Sequence, residues 1–273
     1  MSRVGDRIAG AMSQHDRYGR AQYRHMIAWP ERIRREAPLL ERVLGAGPSR
    51  RVLDLGSGSG DHARYLASKG FDVVGIDASD AMLQMATEEP IPSNVQFIRG
   101  DFRDLARSVS GTFGGAICLG NALPHITEED DLRAIAKGLS AKLEPGARFL
   151  VQLLNYTSMR ARGERALPVN VRSDPDGGPG ELVFVRVMTL PDAAGRVQFF
   201  PTTLRLDPDA EEPMQVVSSQ RVHLRAWTRA DLTRIFGDHA IAEGEVVGAF
   251  DGTPFDENTS RDLIWIGVKS TPH

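Results

Sequence analysis

The stretch Arg51–Gly60 constrains this chain more than any other. A short apolar run, Arg51–Leu55, passes directly into Gly56, Gly58 and Gly60, and a helix-compatible segment opens at Asp61. Glycines at such a place let the backbone turn sharply from strand to helix and let a ligand approach closely. A second apolar run, Asp72–Ile76, follows and ends at Asp77, 17 residues beyond Gly60. An acid at the end of the second strand can accept hydrogen bonds from ribose hydroxyls. A plain glycine-rich connection accounts for the turn but leaves Asp77 unexplained. Turn and acid together point to a ligand that contains a nucleoside.

The rest of the chain fits an α/β reading. Strands are expected at Val95–Ile98, Gly115–Leu119 and Ala147–Leu154. Helices are expected at Asp61–Lys69, Ser79–Glu88 and Asp130–Leu143. Strands alternating with helices at this spacing predict a doubly wound, mostly parallel sheet. Ahead of them, Tyr23–Leu44 has helical periodicity interrupted around Trp29 and Pro30, where Pro30 suits a first helical turn. Between Met159 and Ala226 no good helix is found. Glu181–Leu190, Arg196–Leu206 and Gln215–Arg225 read as strands, and Asp174–Gly180 is a loop of turn formers. A helix at Thr228–Phe236, capped by Thr228 with Asp231, and strands near Ala242–Phe250 and Asp262–Val268 close the chain. The expected organisation is an N-terminal helical cap (1–48), a core (49–158 and 227–273) and an inserted antiparallel β lid (159–226).

Composition narrows the function classes. With 33 Lys and Arg against 36 Asp and Glu, the formal charge is -3, which carries no footprint for nucleic acid. No apolar run approaches the length of a membrane span, and no signal peptide is evident, so a cytoplasmic protein is expected. The single cysteine, Cys118, sits on an expected buried strand and reads as packing. No cluster has metal-ligand spacing, so no metal is expected. The number of copies in any assembly is open.

The turn also discriminates between nucleosides. A dinucleotide fingerprint, G-x-G-x-x-G, would place glycine where Asp61 stands. Asp54 at the end of the first strand likewise opposes a phosphate in the turn. Both acids suit a ligand with a positive centre and no phosphate, and S-adenosylmethionine is such a molecule. Here the chain resembles the class I S-adenosylmethionine-dependent methyltransferases, over about residues 23–155. The resemblance implies that Asp54, Gly56, Gly58 and Gly60 surround the methionine part of that cofactor and that Asp77 binds the ribose, with the adjoining Ala78 also at the cofactor. It places Asp101 and Phe102 beside adenine, and Met82 in the adenine pocket or simply in the core.

The loop after the fourth strand, Cys118–Ile126, together with Asp77–Met82 and Asn155–Tyr156, is similar to the glycine N-methyltransferase group. That likeness implies that Leu119, Gly120 and Asn121 touch the cofactor near its sulfonium, while Asn155 and Tyr156 meet an amino-acid substrate. His125 reads either as a general base for a hydroxyl acceptor or as a structural residue. In related small-molecule enzymes an N-terminal segment closes over the site, so Arg32 is the candidate for the cofactor carboxylate, with Tyr23 and Trp29 as walls. A solvated basic helix face explains the same arginines equally well. Among the arginines of the insertion, Arg186 stands out because apolar residues flank it, and it is a candidate for a substrate carboxylate. The expected function is methyl transfer to a nitrogen of a small molecule, such as an amino acid or amine. An O-methyltransferase using His125, or a non-catalytic S-adenosylmethionine-binding protein, are the alternatives.

Overall fold

The computed structural model describes residues 26–174 and 180–271, so Tyr23 lies outside the described residues. Helix α1 (Trp29–Gly45) begins with Pro30 in its first turn and leads into strand β1 (Arg51–Leu55). Then follow α2 (Asp61–Ser68), β2 (Asp72–Asp77), α3 (Asp80–Ala86), β3 (Val95–Arg99), the short α4 (Leu105–Ser108) and β4 (Phe113–Cys118). The long α5 (Glu129–Lys142) precedes β5 (Leu143–Leu154), and the closing elements are α7 (Arg229–Gly237), β11 (Ile241–Val247) and β12 (Asp262–Lys269). The main sheet has seven strands in the order β11-β12-β5-β4-β1-β2-β3. Strands β1 to β5 pair in parallel, whereas β12 runs antiparallel to both β5 and β11.

Both faces of this sheet are covered, as buried parallel strands require. One face packs on α5 and α7 through Leu132, Ile135, Leu139, Leu232, Ile235 and Phe236, around the buried Phe149 and Trp265. The other takes α1 and α2 through Leu39, Leu40, Val43, Leu44 and Leu66. Cys118 is fully buried in the first of these cores, and burial raises its thiol pKa. The chain order reverses between β1 and β4. Their carboxyl ends therefore splay the following loops apart, and open α/β sheets bind ligands in such a crevice.

The insertion contains α6 (Tyr156–Arg162), β6 (Ala166–Ser173), β7 (Glu181–Met188), β8 (Arg196–Leu206), β9 (Met214–Ser219) and β10 (Val222–Arg225). Its strands form a second, antiparallel sheet ordered β10-β8-β7-β6, with β9 also on β8. Two elements depart from expectation. Helix α6 runs past Met159, and β6 was not foreseen, because Pro168 and polar neighbours break the alternation of its side chains. The expected strand Gln215–Arg225 divides into β9 and β10. The gap at Gln220 and Arg221 lies opposite Pro201, whose carbonyl accepts from Gln220 N at 3.2 Å but which has no N–H to return. The helix after the insertion has the foreseen cap, a reciprocal capping box between Thr228 and Asp231.

Candidate active site

A cavity of about 690 Å³ opens at the β1/β4 crevice and is bounded by α1, the loops after β1, β2 and β4, and the antiparallel sheet. Its floor is the glycine turn. Gly56, Gly58 and Gly60 all have positive φ, which only glycine adopts without strain. Gly60 does not line the cavity; a Cβ there would lie 2.4 Å from Phe97 Cζ, so its glycine lets the turn pass over that ring. Four of the turn's backbone donors are already committed. Gly56 N and Ser57 N donate to the Ile76 carbonyl, Gly60 N to the Ser57 carbonyl, and Gly58 N to Asp77 Oδ2 at 2.8 Å. These donors form no cradle for a phosphate. Asp77 Oδ1 accepts from Ser79 N at 2.9 Å, which aims the carboxylate across the mouth of the turn.

Asp54 lies beneath the turn, 2% exposed, and its Oδ2 has no hydrogen-bond partner. Burial, reinforced by Asp77 and opposed by Arg32, raises its pKa from 3.8 to about 7. An orphaned buried carboxyl beside this turn fits a cationic ligand and opposes a phosphate. Arg32 approaches from α1. Its guanidinium comes within 3.3 Å of where a Cβ on Gly120 would stand, lies 5.1 Å from the Trp29 ring, and Nε donates to Glu36 Oε1 at 2.9 Å. Glu36, 1% exposed, also meets His62 Nε2 at 2.7 Å. Burial pushes the Glu36 carboxyl upward, but the His62 hydrogen bond and Arg32 hold it below its ordinary value. Burial pulls His62 below its ordinary value despite Glu36. Trp29 stacks edge-on against His62, behind the cavity surface rather than on it. Sequence reasoning missed Glu36 and His62; the available signal was Glu36 four residues after Arg32, one helical turn along the same face.

The loop after β4 is braced by a chain of polar groups. Gln152 Oε1 accepts from Gly120 N at 3.0 Å and Asn121 N at 3.3 Å, and Gln152 Nε2 donates to Asp262 Oδ1 at 2.7 Å. Burial raises the Asp262 carboxyl above its ordinary range, with Gln152 opposing. Asn121 adopts φ +61° and lines the cavity, yet its amide is engaged: Nδ2 donates to Tyr156 Oη at 2.9 Å and Oδ1 accepts from Leu154 N at 3.0 Å. Ala78, Met82, Phe102, Leu119 and His125 also line the cavity.

Besides Gly60, Trp29 and Asp54, which do not line the cavity, three more expected contacts are placed elsewhere. Asn155 is 3% exposed and caps α6 by accepting from Ser158 N, while its Nδ2 donates to the carbonyls of Glu257 and Ser260, both at 3.0 Å. Its amide is spent on the chain's own backbone. Tyr156 is buried in the small core of the insertion, its pKa raised by burial, and it reaches the site only through Asn121. Asp101 accepts from Arg103 N and pairs with the Arg103 guanidinium, which turns its carboxylate away from the cavity that Phe102 lines. On the insertion side the walls are Arg186 with Leu167, Met188 and Phe199, residues that only the packing of the two sheets brings to the crevice.

Comparison with known proteins agrees with this geometry. Residues 52–146 match the family model described as a methyltransferase domain. A glycine/sarcosine N-methyltransferase of Parasynechococcus marenigrum is 33% identical over 141 residues, 50% of either chain. A cypemycin N-terminal methyltransferase of a Streptomyces species is 36% identical over 102 residues, 37% of this chain and 41% of that one. The chain spans about half the length of the curated relatives it matches. The structure of S-adenosylmethionine-bound CalS10, an amino pentose methyltransferase of Micromonospora echinaspora, superposes with a TM-score of 0.68 at 22% identity, over 92% of this chain and 95% of that one. The strand order, the crevice at β1 and β4 and the matched segment together identify residues 52–146 as a methyltransferase domain, in a chain with the class I S-adenosylmethionine-dependent methyltransferase fold.

Proposed function

We propose that the protein binds S-adenosylmethionine in this cavity and transfers its methyl group to a nitrogen of a small molecule, an amino acid or amine. The observation that carries the reading is the orphaned Asp54 carboxyl beneath the glycine turn, with Asp77 across its mouth. Asp77 would hold the ribose, Met82 and Phe102 the adenine, and Asp54, Gly56, Gly58 and Arg32 the methionine part. When bound, that cofactor supplies an activated methyl, which a nitrogen lone pair takes as the carbon–sulfur electron pair returns to sulfur. The chain's own task is to align the acceptor and exclude water. Arg32 sits under Trp29 and is held by Glu36, so it is oriented before any ligand arrives. The Gln152 brace fixes Gly120 and Asn121 at the end of β4, and the antiparallel sheet closes the opposite side.

A neutral amine needs no base to attack, which leaves His125 with a structural role. His125 does line the cavity, so a hydroxyl acceptor is the second reading, with this imidazole taking the proton. A homocysteine-release assay across amino acids, amines and hydroxylated metabolites, with the product identified by mass spectrometry, separates the two. N-methyl products that survive in H125A at near wild-type rate support the reading. O-methyl products whose formation collapses in H125A overturn it. Binding of S-adenosylhomocysteine with no turnover on any acceptor leaves a cofactor-binding protein without this catalysis.

A further inference from the structure

The insertion side of the cavity holds a cation without a counter-ion among the described residues. Arg186 lies on β7, its backbone paired with Pro201 of β8 and Leu167 of β6. Its Nη2 donates to the Pro168 carbonyl at 2.9 Å, while its Nε is buried and has no hydrogen-bond partner. Burial alone acts on this guanidinium and lowers its pKa; no charged group among the described residues offsets it. The other arginines that line the cavity are engaged differently. Arg32 and Arg35 meet Glu36, and Arg162 pairs with Glu164. Arg261 acts on Asp262; Arg172, like Arg186, donates to a backbone carbonyl, that of Val171, but has no buried nitrogen left without a partner.

A half-buried cation without a counter-ion is disfavoured by its partial desolvation, and a guanidinium with open N–H groups is shaped for a planar carboxylate. The surroundings of Arg186 are apolar: Leu167, Met188, Phe199 and Leu224 line the same wall. Glycine would place nothing against these side chains, and a neutral sugar would leave Arg186 unpaired. We propose that Arg186 recognises a carboxylate on the acceptor and that the neighbouring wall receives an apolar body, so that the acceptor is an amine bearing both a carboxylate and a hydrocarbon or aromatic side chain. The inference rests on the N-methyltransferase reading for the reacting atom, but the anion site can be tested apart from it.

The first test is calorimetric, on full-length protein loaded with S-adenosylhomocysteine. Isocaproate, which has the carboxylate and the apolar body but no amine, is titrated into wild type, R186M and R186Q, with isocaproamide as the neutral control. Losing one partner of a desolvated charge pair should weaken isocaproate by about 30-fold or more in both variants. Isocaproamide and S-adenosylhomocysteine itself should bind all three proteins alike. Equal isocaproate binding in wild type and variants overturns the proposal. So does a parallel loss of S-adenosylhomocysteine, which would assign Arg186 to the cofactor. Thermal melts establish that at least one variant is folded before it is read. The second test compares turnover of leucine and phenylalanine with glycine and with the corresponding decarboxylated amines. Faster turnover of the two apolar amino acids, erased in R186M, supports the proposal; preference for glycine or for the bare amines overturns it. If isocaproate binding depends on Arg186 while no nitrogen is methylated, the anion site stands and the N-methyltransferase reading falls.

Discussion

Replacing Asp54 with asparagine should make the empty protein more stable while impairing its cofactor site, and the balance should depend on pH. Asp54 is buried, its Oδ2 has no hydrogen-bond partner, and its carboxyl pKa is raised from 3.8 to about 7, first by burial and then by Asp77. The folded protein therefore holds this proton more tightly than the unfolded chain does. That advantage is fully present below the unfolded pKa and is lost as pH rises toward the folded pKa, because ionisation must then occur in an environment that opposes it. At about 1.4 kcal/mol per unit, the full shift corresponds to roughly 4 kcal/mol, of which roughly 3 kcal/mol develops between about pH 5 and about pH 8. Asparagine keeps the shape and does not ionise. In a chain of this size, about 2 °C of melting temperature accompanies each kcal/mol. Thermal melts of ligand-free D54N should therefore gain about 6 °C on wild type between about pH 5 and about pH 8. Wild-type affinity for S-adenosylhomocysteine, whose ammonium favours the ionised acid, should fall by up to about tenfold per pH unit below about pH 7. D54N should bind weakly with a flattened profile. Parallel melting curves for the two proteins across this range would refute the argument, as would a wild-type affinity independent of pH.

Other perturbations test the supporting geometry. G60A forces a side chain toward Phe97 at a φ of +80°, and urea unfolding should show a loss of about 2–3 kcal/mol; a change within the error of the fit would remove the packing role. N155A strips a buried donor from the loop at Glu257–Ser260 and a cap from α6, and should cost about 2–4 kcal/mol of stability with an unchanged acceptor KM. A raised KM at full stability would return Asn155 to the substrate. E36Q should weaken S-adenosylhomocysteine by about tenfold by loosening Arg32, readable by calorimetry; unchanged affinity would mean that Arg32 needs no such anchor.

The residues on the strand ends were legible in the sequence because local chemistry dictates them. A strand that ends in Asp54, Gly56, Gly58 and Gly60, followed by one that ends in Asp77, specifies a turn, a crevice and an acid at its mouth with little help from distant contacts. Alternating strands and helices likewise specified the layered sheet, because burying both faces of parallel strands leaves few alternatives. What the sequence could not show was how polar groups would be shared among elements far apart in the chain. Asn155, Tyr156 and Asp101 were sensible candidates by position, yet each is consumed by a neighbour: the loop carbonyls near Ser260, the amide of Asn121 and the guanidinium of Arg103. Glu36, His62, Gln152 and Asp262 become parts of the site only where α1, α2, β5 and β12 converge. Hydrogen-bond capacity is finite and is allotted by tertiary contact. The sequence alone thus determined the glycine turn and Asp77, which lie on consecutive elements; the opposite wall was decided by the packing of a separate sheet, which set Arg186 and apolar side chains at the crevice.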